Sequence, residues 1–109
     1  MQPGYTVIRE YFIDPEFERE FRASYEPGGT WAVLMSRHAG YPGTELVRDL
    51  STPLRYVTID RWRREPDWQD FRKEFNAEYE EIDRHCEQFT TAENQIGTFT
   101  SLGRGGPAG

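Results

Sequence analysis

Hydrophobic and polar positions fall into six successive blocks along this 109-residue chain. Residues 5–13 are β-branched and aromatic, with Arg9 and Glu10 interrupting, and predict a first strand. Asp14-Pro15 reads as a helix start: an Asp cap, then a proline at the first helical position, where its missing N–H costs nothing. Phe17, Phe21 and Tyr25 follow at spacing four, one apolar helix face, and Pro27-Gly28-Gly29 ends it. Residues 30–36 predict a second strand, with Trp31, Val33 and Met35 on one face and Ala32 and Leu34 on the other. Residues 37–53 are broken by Gly40, Pro42, Gly43 and Pro53, and 44–48 continue as a bent strand. Tyr56, Thr58, Asp60 and Trp62 alternate with Val57 and Ile59, a third strand over 55–62. Pro66 opens the longest predicted helix, whose stripe of Trp68, Phe71, Phe75, Tyr79, Ile82, Cys86 and Phe89 steps by three or four. Residues 95–102 form the last strand, with Ile96 and Phe99 as its core positions.

The order β-α-β-β-α-β is the ferredoxin-like pattern, an α+β fold with two helices on one face of an antiparallel sheet. The other face would be bare in a single copy. Residues 30–36 are apolar on both faces, so a second sheet is expected to cover them, which predicts a homodimer through the sheet face. One domain over 5–102 is expected, followed by a Gly-rich disordered tail at 103–109.

Composition narrows the function. Nineteen acidic and 13 basic residues leave a net charge of −6, which argues against nucleic acid as a partner. Residues 65–94 hold ten acids and three bases, so the polar face of the long helix is a solvated acidic surface. Seven Phe, six Tyr and three Trp give a folded rather than a disordered chain. A single cysteine, Cys86, excludes an intrachain disulfide and a thiolate zinc site. No apolar run reaches the ~20 residues of a membrane span. Met1 to Tyr5 show no secretion signal, so a cytoplasmic protein is expected.

Three stretches carry a resemblance: 40–49 (GYPGTELVRD), 55–62 (RYVTIDRW) and 68–71 (WQDF). Together with Tyr79, Asp83, Glu87, Glu93 and Ile96-Gly97, they resemble the antibiotic biosynthesis monooxygenase domain family over about residues 5–102. The resemblance implies a dimeric α+β barrel, with two sheets face to face and a cavity between each sheet and its own helices. It also implies either cofactor-free oxygen chemistry on a polyphenol, haem degradation, or a ligand-binding module without turnover. In the oxygenases a tryptophan ending strand 3 lines the pocket, and Trp62 holds that place. The quinone-forming branch has an asparagine four residues before this tryptophan and a tyrosine six after it; here these are Thr58 and Trp68. The haem-degrading branch has a helical histidine about ten residues after it; here that is Arg72.

The resemblance and the residue chemistry together give the candidate site. Trp62 could stack on an aromatic substrate or cap the corner between strand 3 and the second helix. Arg9 could hold an anionic ligand or pair with Asp60. His85, on the edge of the helical stripe, could act as a base or complement the helix dipole. Tyr56, Thr58, Trp68 and Tyr79 are the expected substrate-binding residues. No cofactor is expected and no metal-spaced cluster is apparent. The expected partners are a second copy of the chain and a small aromatic molecule.

Overall fold

The computed structural model describes residues 4–103 and 105–107. Its elements are β1 (Tyr5–Ile13), α1 (Glu18–Tyr25) after a single 3-10 turn (Pro15–Phe17), α2 (Thr30–Met35), β2 (Gly43–Arg48) and β3 (Arg55–Trp62). Then follow α3 (Glu65–Glu74), α4 (Asn76–Cys86), a second 3-10 turn (Glu87–Phe89) and β4 (Thr90–Phe99). The four strands form one antiparallel sheet in the order β2-β3-β1-β4. This is the expected α+β, ferredoxin-like fold. The central pair is in tight register, with Tyr11 opposite Tyr56, Arg9 opposite Thr58 and Tyr5 opposite Trp62. Alternation then divides β1 and β3 between two faces. Val7, Tyr11, Tyr56, Thr58 and Trp62 are buried beneath the helices.

The entry to the first helix forms as the sequence predicts. The Asp14 carboxylate accepts the Glu16 N–H at 3.0 Å, and Pro15 occupies the first position. Phe21 and Tyr25 stack with ring centroids 4.3 Å apart and are buried.

Three expectations are corrected. Residues 30–36 are a helix, not a strand. A short run that is apolar throughout has no period to choose between the two. As a helix it buries Trp31, Leu34 and Met35 on one face and leaves Val33 61% exposed. Its start lies so close to the end of α1 that a Cβ on Gly29 would stand 2.4 Å from the Ala23 carbonyl oxygen. The second strand of the sheet is therefore the 43–48 segment, and the argument for a covering sheet from residues 30–36 falls away. The long helix is two helices: Phe75 leaves helical geometry (φ −107°, ψ 25°), although its N–H still reaches the Phe71 carbonyl at 2.9 Å. No proline or glycine marks this break, and the apolar stripe runs through it. Finally, β4 starts at Thr90, and Ile96 and Phe99 are about half exposed rather than core. Ile8 pairs with Gly97 and Arg9 with Gln95, so Ile96 is an inserted residue, a β-bulge on the edge strand.

The open face of the sheet carries Ile8, Phe12, Val57 and Ile59, each partly buried, with Val47 37% and Phe99 47% exposed. An ion-pair cluster crosses it, with Arg55 bound to Glu10 at 2.7 Å and to Asp49 at 3.0 Å. Of the expected tail at 103–109, Gly103 and residues 105–107 have no helix or strand, and Arg104, Ala108 and Gly109 lie outside the described residues. Among the described residues no helix is long and apolar enough to cross a membrane.

Candidate functional site

A narrow cavity lies between the sheet and its helices. Its floor is the inward row of the strands: Arg9 and Tyr11 from β1, Thr58 and Asp60 from β3, Thr44 from β2 and Glu93 from β4. Its roof is Tyr25, Trp31, Met35, Trp68, Tyr79 and Asp83 from the four helices. About 20 Å³ is open to the centre of a water molecule, room for about one ordered water.

Arg9 is the cation of this cavity. Its Nη1 donates to the Tyr79 hydroxyl at 3.1 Å and its Nη2 to Gln95 Oε1 at 3.5 Å. Among the described residues no carboxylate oxygen lies within 4.0 Å of it, so the expected ion pair with Asp60 does not form. Burial opposes the Arg9 charge, but Tyr79, Tyr11 and Asp60 outweigh it, and the guanidinium pKa is raised. Tyr79 is held from its other side by Arg72, whose guanidinium lies 3.6 Å from the ring centroid. Trp31 meets the same ring edge-on at 4.8 Å.

The acids around Arg9 are weakened. Burial raises the pKa of Asp60, against the lowering effect of a Thr44 hydrogen bond and of Arg9. Burial likewise raises Glu93, helped by Asp83 and Glu87 and opposed by Arg9. Burial also raises Tyr11 and Tyr25, which stay protonated at neutral pH. The Thr58 hydroxyl is buried without a hydrogen-bond partner of good geometry, although it lies near enough to Tyr11 to favour that phenol's ionised form.

Of the residues singled out in the sequence, the cavity brings together Arg9, Thr58, Trp68 and Tyr79. Trp62 is not on its lining. It is 2% exposed and packs against Trp68, Phe71 and Tyr41 at centroid distances of 5.5, 5.1 and 5.2 Å. Tyr56 is not on the lining either: it is buried against Phe21 and donates its hydroxyl to Glu18 at 2.6 Å. His85 is exposed at the end of α4, edge-on to Phe89. Sequence reasoning missed Trp31, hidden by reading its helix as a strand. It also missed Tyr11, inside the first predicted strand, and Tyr25, although the latter stood on an apolar helix face that the periodicity located. Asp60 entered only as a partner for Arg9, and Thr44 not at all.

A second titratable cluster lies at the start of α3, where His38, Asp67 and Asp70 bring possible metal ligands within 4.8 Å of one another. Two of the three are already engaged. Arg64 donates to both oxygens of Asp67, at 3.3 and 3.2 Å. His38 Nδ1 accepts the Gly40 N–H at 3.0 Å, which leaves the ring proton of the neutral imidazole on Nε2.

The profile of the antibiotic biosynthesis monooxygenase family matches residues 4–92. The chain belongs to this family. Solved structures agree in fold. SnoaB, a cofactor-independent oxygenase from Streptomyces nogalater, superposes on the antibiotic biosynthesis monooxygenase domain described here with a TM-score of 0.68 at 16% identity, over 95% of this chain and 97% of that one. A protein of Bordetella bronchiseptica, named only as a candidate antibiotic biosynthesis monooxygenase, gives 0.70 at 21% identity, over 94% and 99%. A conserved protein of Methanosarcina mazei gives 0.64 at 14%, over 92% and 90%. At these identities the likeness is one of fold. No curated protein matches this member of the family in sequence.

Proposed function

We propose that this protein is a cofactor-independent, monooxygenase-like protein that takes an electron-rich aromatic anion, such as the phenolate or enolate of a polyphenol, between its sheet and helices. The observation that carries this is Arg9: a part-buried guanidinium in an aromatic-lined cavity, fixed by two neutral acceptors and by no carboxylate. A cation so placed has no carboxylate in direct contact, and a ligand anion is the partner that would fill that place. Trp68, Trp31 and Tyr79 offer ring faces and edges, and Thr58 offers an unengaged hydroxyl. Trp62 backs Trp68 from behind. A deprotonated electron-rich ring can pass electrons directly to dioxygen, one oxygen atom ending on carbon and the other in water. The cavity holds about one water, so a ring system enters only if part of the aromatic roof, such as the half-buried Trp68, shifts to widen it.

The same reading includes a homodimer through the open face, where Ile8, Phe12, Val57, Ile59 and Phe99 form apolar surface that a second sheet would cover. Light scattering should then give twice the 12.8 kDa of one chain. A 12.8 kDa particle at micromolar concentration would remove this part of the proposal. A ligand-binding module without turnover is the second reading. It is favoured by Thr58 and Trp68 standing where the quinone-forming branch resembled in sequence has asparagine and tyrosine.

The test is a titration with a hydroxylated anthrone, dithranol, followed by tryptophan fluorescence, together with dithranol-dependent dioxygen uptake. Binding that weakens at least about tenfold in Arg9→Met supports an anion site. Equal affinity in the variant removes Arg9 from the reading. Binding without dioxygen uptake selects the non-catalytic module.

A further inference from the structure

Asp60 stands at the head of a chain of hydrogen bonds that leaves the cavity. Thr44 donates its hydroxyl to Asp60 Oδ1 at 2.7 Å, and the Tyr41 hydroxyl is in turn hydrogen-bonded to Thr44 Oγ1. With the Thr44 proton committed to the carboxylate, Tyr41 is the donor in that second bond. Thr44 lines the cavity on one side and, with Tyr41 and Pro42, an open surface groove on the other. Three polar groups therefore connect an enclosed, aromatic space to bulk water. The second carboxylate oxygen, Oδ2, takes part in no hydrogen bond among the described residues.

We propose that Asp60 is the group that takes the proton from the bound aromatic substrate, with Thr44 and Tyr41 as the positioning pair that holds the carboxylate and carries the proton out. This rests on the cavity being an aromatic-ligand site. In the step proposed, the acidic O–H or C–H bond of the substrate breaks, its electron pair stays on the ring system, and the proton forms a bond to Oδ2. Arg9, from the adjacent strand and on the same face, stabilises the anion left behind. Once the carboxyl group turns to bring the protonated oxygen to Thr44, rotation of the two hydroxyls lets the proton pass from Asp60 to Thr44, from Thr44 to Tyr41, and to solvent, which resets the carboxylate. Burial makes Asp60 a stronger base than an exposed aspartate, against the opposing effect of the Thr44 hydrogen bond and of Arg9. The other charged and titratable groups that line the cavity are Tyr11, Tyr25, Tyr79, Asp83 and Glu93. Of these, Tyr11, Tyr25 and Glu93 are themselves shifted toward their neutral forms.

Dithranol in the absence of dioxygen provides the test, because its anion absorbs at longer wavelength than the neutral form. Wild-type protein should bind it and convert it to the anion. Asp60→Asn should bind it with similar affinity and give at least about tenfold less anion. Asp60→Glu should restore part of the signal. Thr44→Val should keep the anion but move the acid limb of its formation to higher pH, since the carboxylate loses a hydrogen bond that favours its charged form. Equal ionisation by wild type and Asp60→Asn, at equal affinity, overturns the role of Asp60 and leaves the binding site standing. Absence of dithranol binding in the wild type overturns the proposed function and this inference with it.

Discussion

Two regions on the same face of the same two strands have opposite characters. At one end, Trp62 is wedged among Tyr41, Trp68 and Phe71 and is 2% exposed. Two to four residues back along β3, and at Arg9 on β1, the inward row turns polar: Asp60, Thr58 and Arg9 face a small enclosed space under Trp31, Tyr79 and Trp68. Both regions are rich in aromatic rings. What separates them is charge and open space. The Trp62 block is close-packed and holds no charged group, and the one polar atom of Trp62 itself, Nε1, is left unpaired. The Arg9 region holds charge, hydroxyls and free hydrogen-bonding capacity that the protein does not use up. Aromatic abundance alone marks a core; charges and hydroxyls gathered around a space within it mark a site.

The largest expected effect tests the packed region. Trp62→Ala should cost about 3–5 kcal/mol of stability in urea unfolding, because a fully enclosed indole leaves a cavity that its neighbours cannot fill. Trp62→Phe should cost about 1–3 kcal/mol at most, since it keeps a ring and removes an unpaired buried N–H. Neither change should alter dithranol affinity in the protein that remains folded by more than about twofold. A tenfold loss of affinity in Trp62→Phe would erase the distinction between the two regions. The same unfolding measurement on Arg9→Met should show a change within about 1 kcal/mol, because the methionine removes a part-buried cation with no ion pair. A loss as large as that of Trp62→Ala would make Arg9 structural.

The smallest effect is a dependence on pH. Asp60 has a folded pKa above its unfolded one, so the folded state holds the extra proton. Stability should therefore fall as pH rises from the ordinary carboxylate range, near about pH 4, through the raised value. Asp60→Asn abolishes this fall. Its thermal midpoint should match wild type in acid and exceed it near neutrality, by less than about 1 kcal/mol of stability. A variant less stable than wild type at neutral pH would show that the carboxylate is needed to hold the sheet.

Much of this contrast was legible in the sequence where local period and tertiary environment agree. The alternation over 55–62 and the four-residue steps of Phe17, Phe21 and Tyr25 belong to central elements buried on one side, and their periods survive folding. Residues 30–36 have apolar side chains in nearly every position, so either period suits them, and only the close approach at Gly29 and the packing of Trp31 decide. The break at Phe75 has no signal in residue type. In the site, Arg9 is conspicuous as a charge among apolar residues, Thr58 and Trp68 stand at positions set by the family resemblance around Trp62, and Thr58 and Tyr79 are hydroxyls suited to a pocket. Trp62 shares a strand face with Thr58, but only packing distances tell a wall of a cavity from a ring behind it. Asp60 and Thr44 lie sixteen residues apart, on strands whose pairing sets them opposite one another. No spacing rule within one segment could have joined them.

The inserted Ile96 gives β4 two independent alphabets. Between a first register shift at Thr91 and the bulge, odd-numbered residues turn toward the helices, and Glu93 and Gln95 are spent on the surroundings of Arg9. After it the parity reverses: Gly97 and Phe99 pair with Ile8 and Thr6 and turn to the open face, while Thr98 pairs with inward-facing Val7. One edge strand thus writes chemistry for the cavity with its first half and surface for whatever meets the sheet with its second. The extra residue lets each half be rewritten without disturbing the spelling of the other.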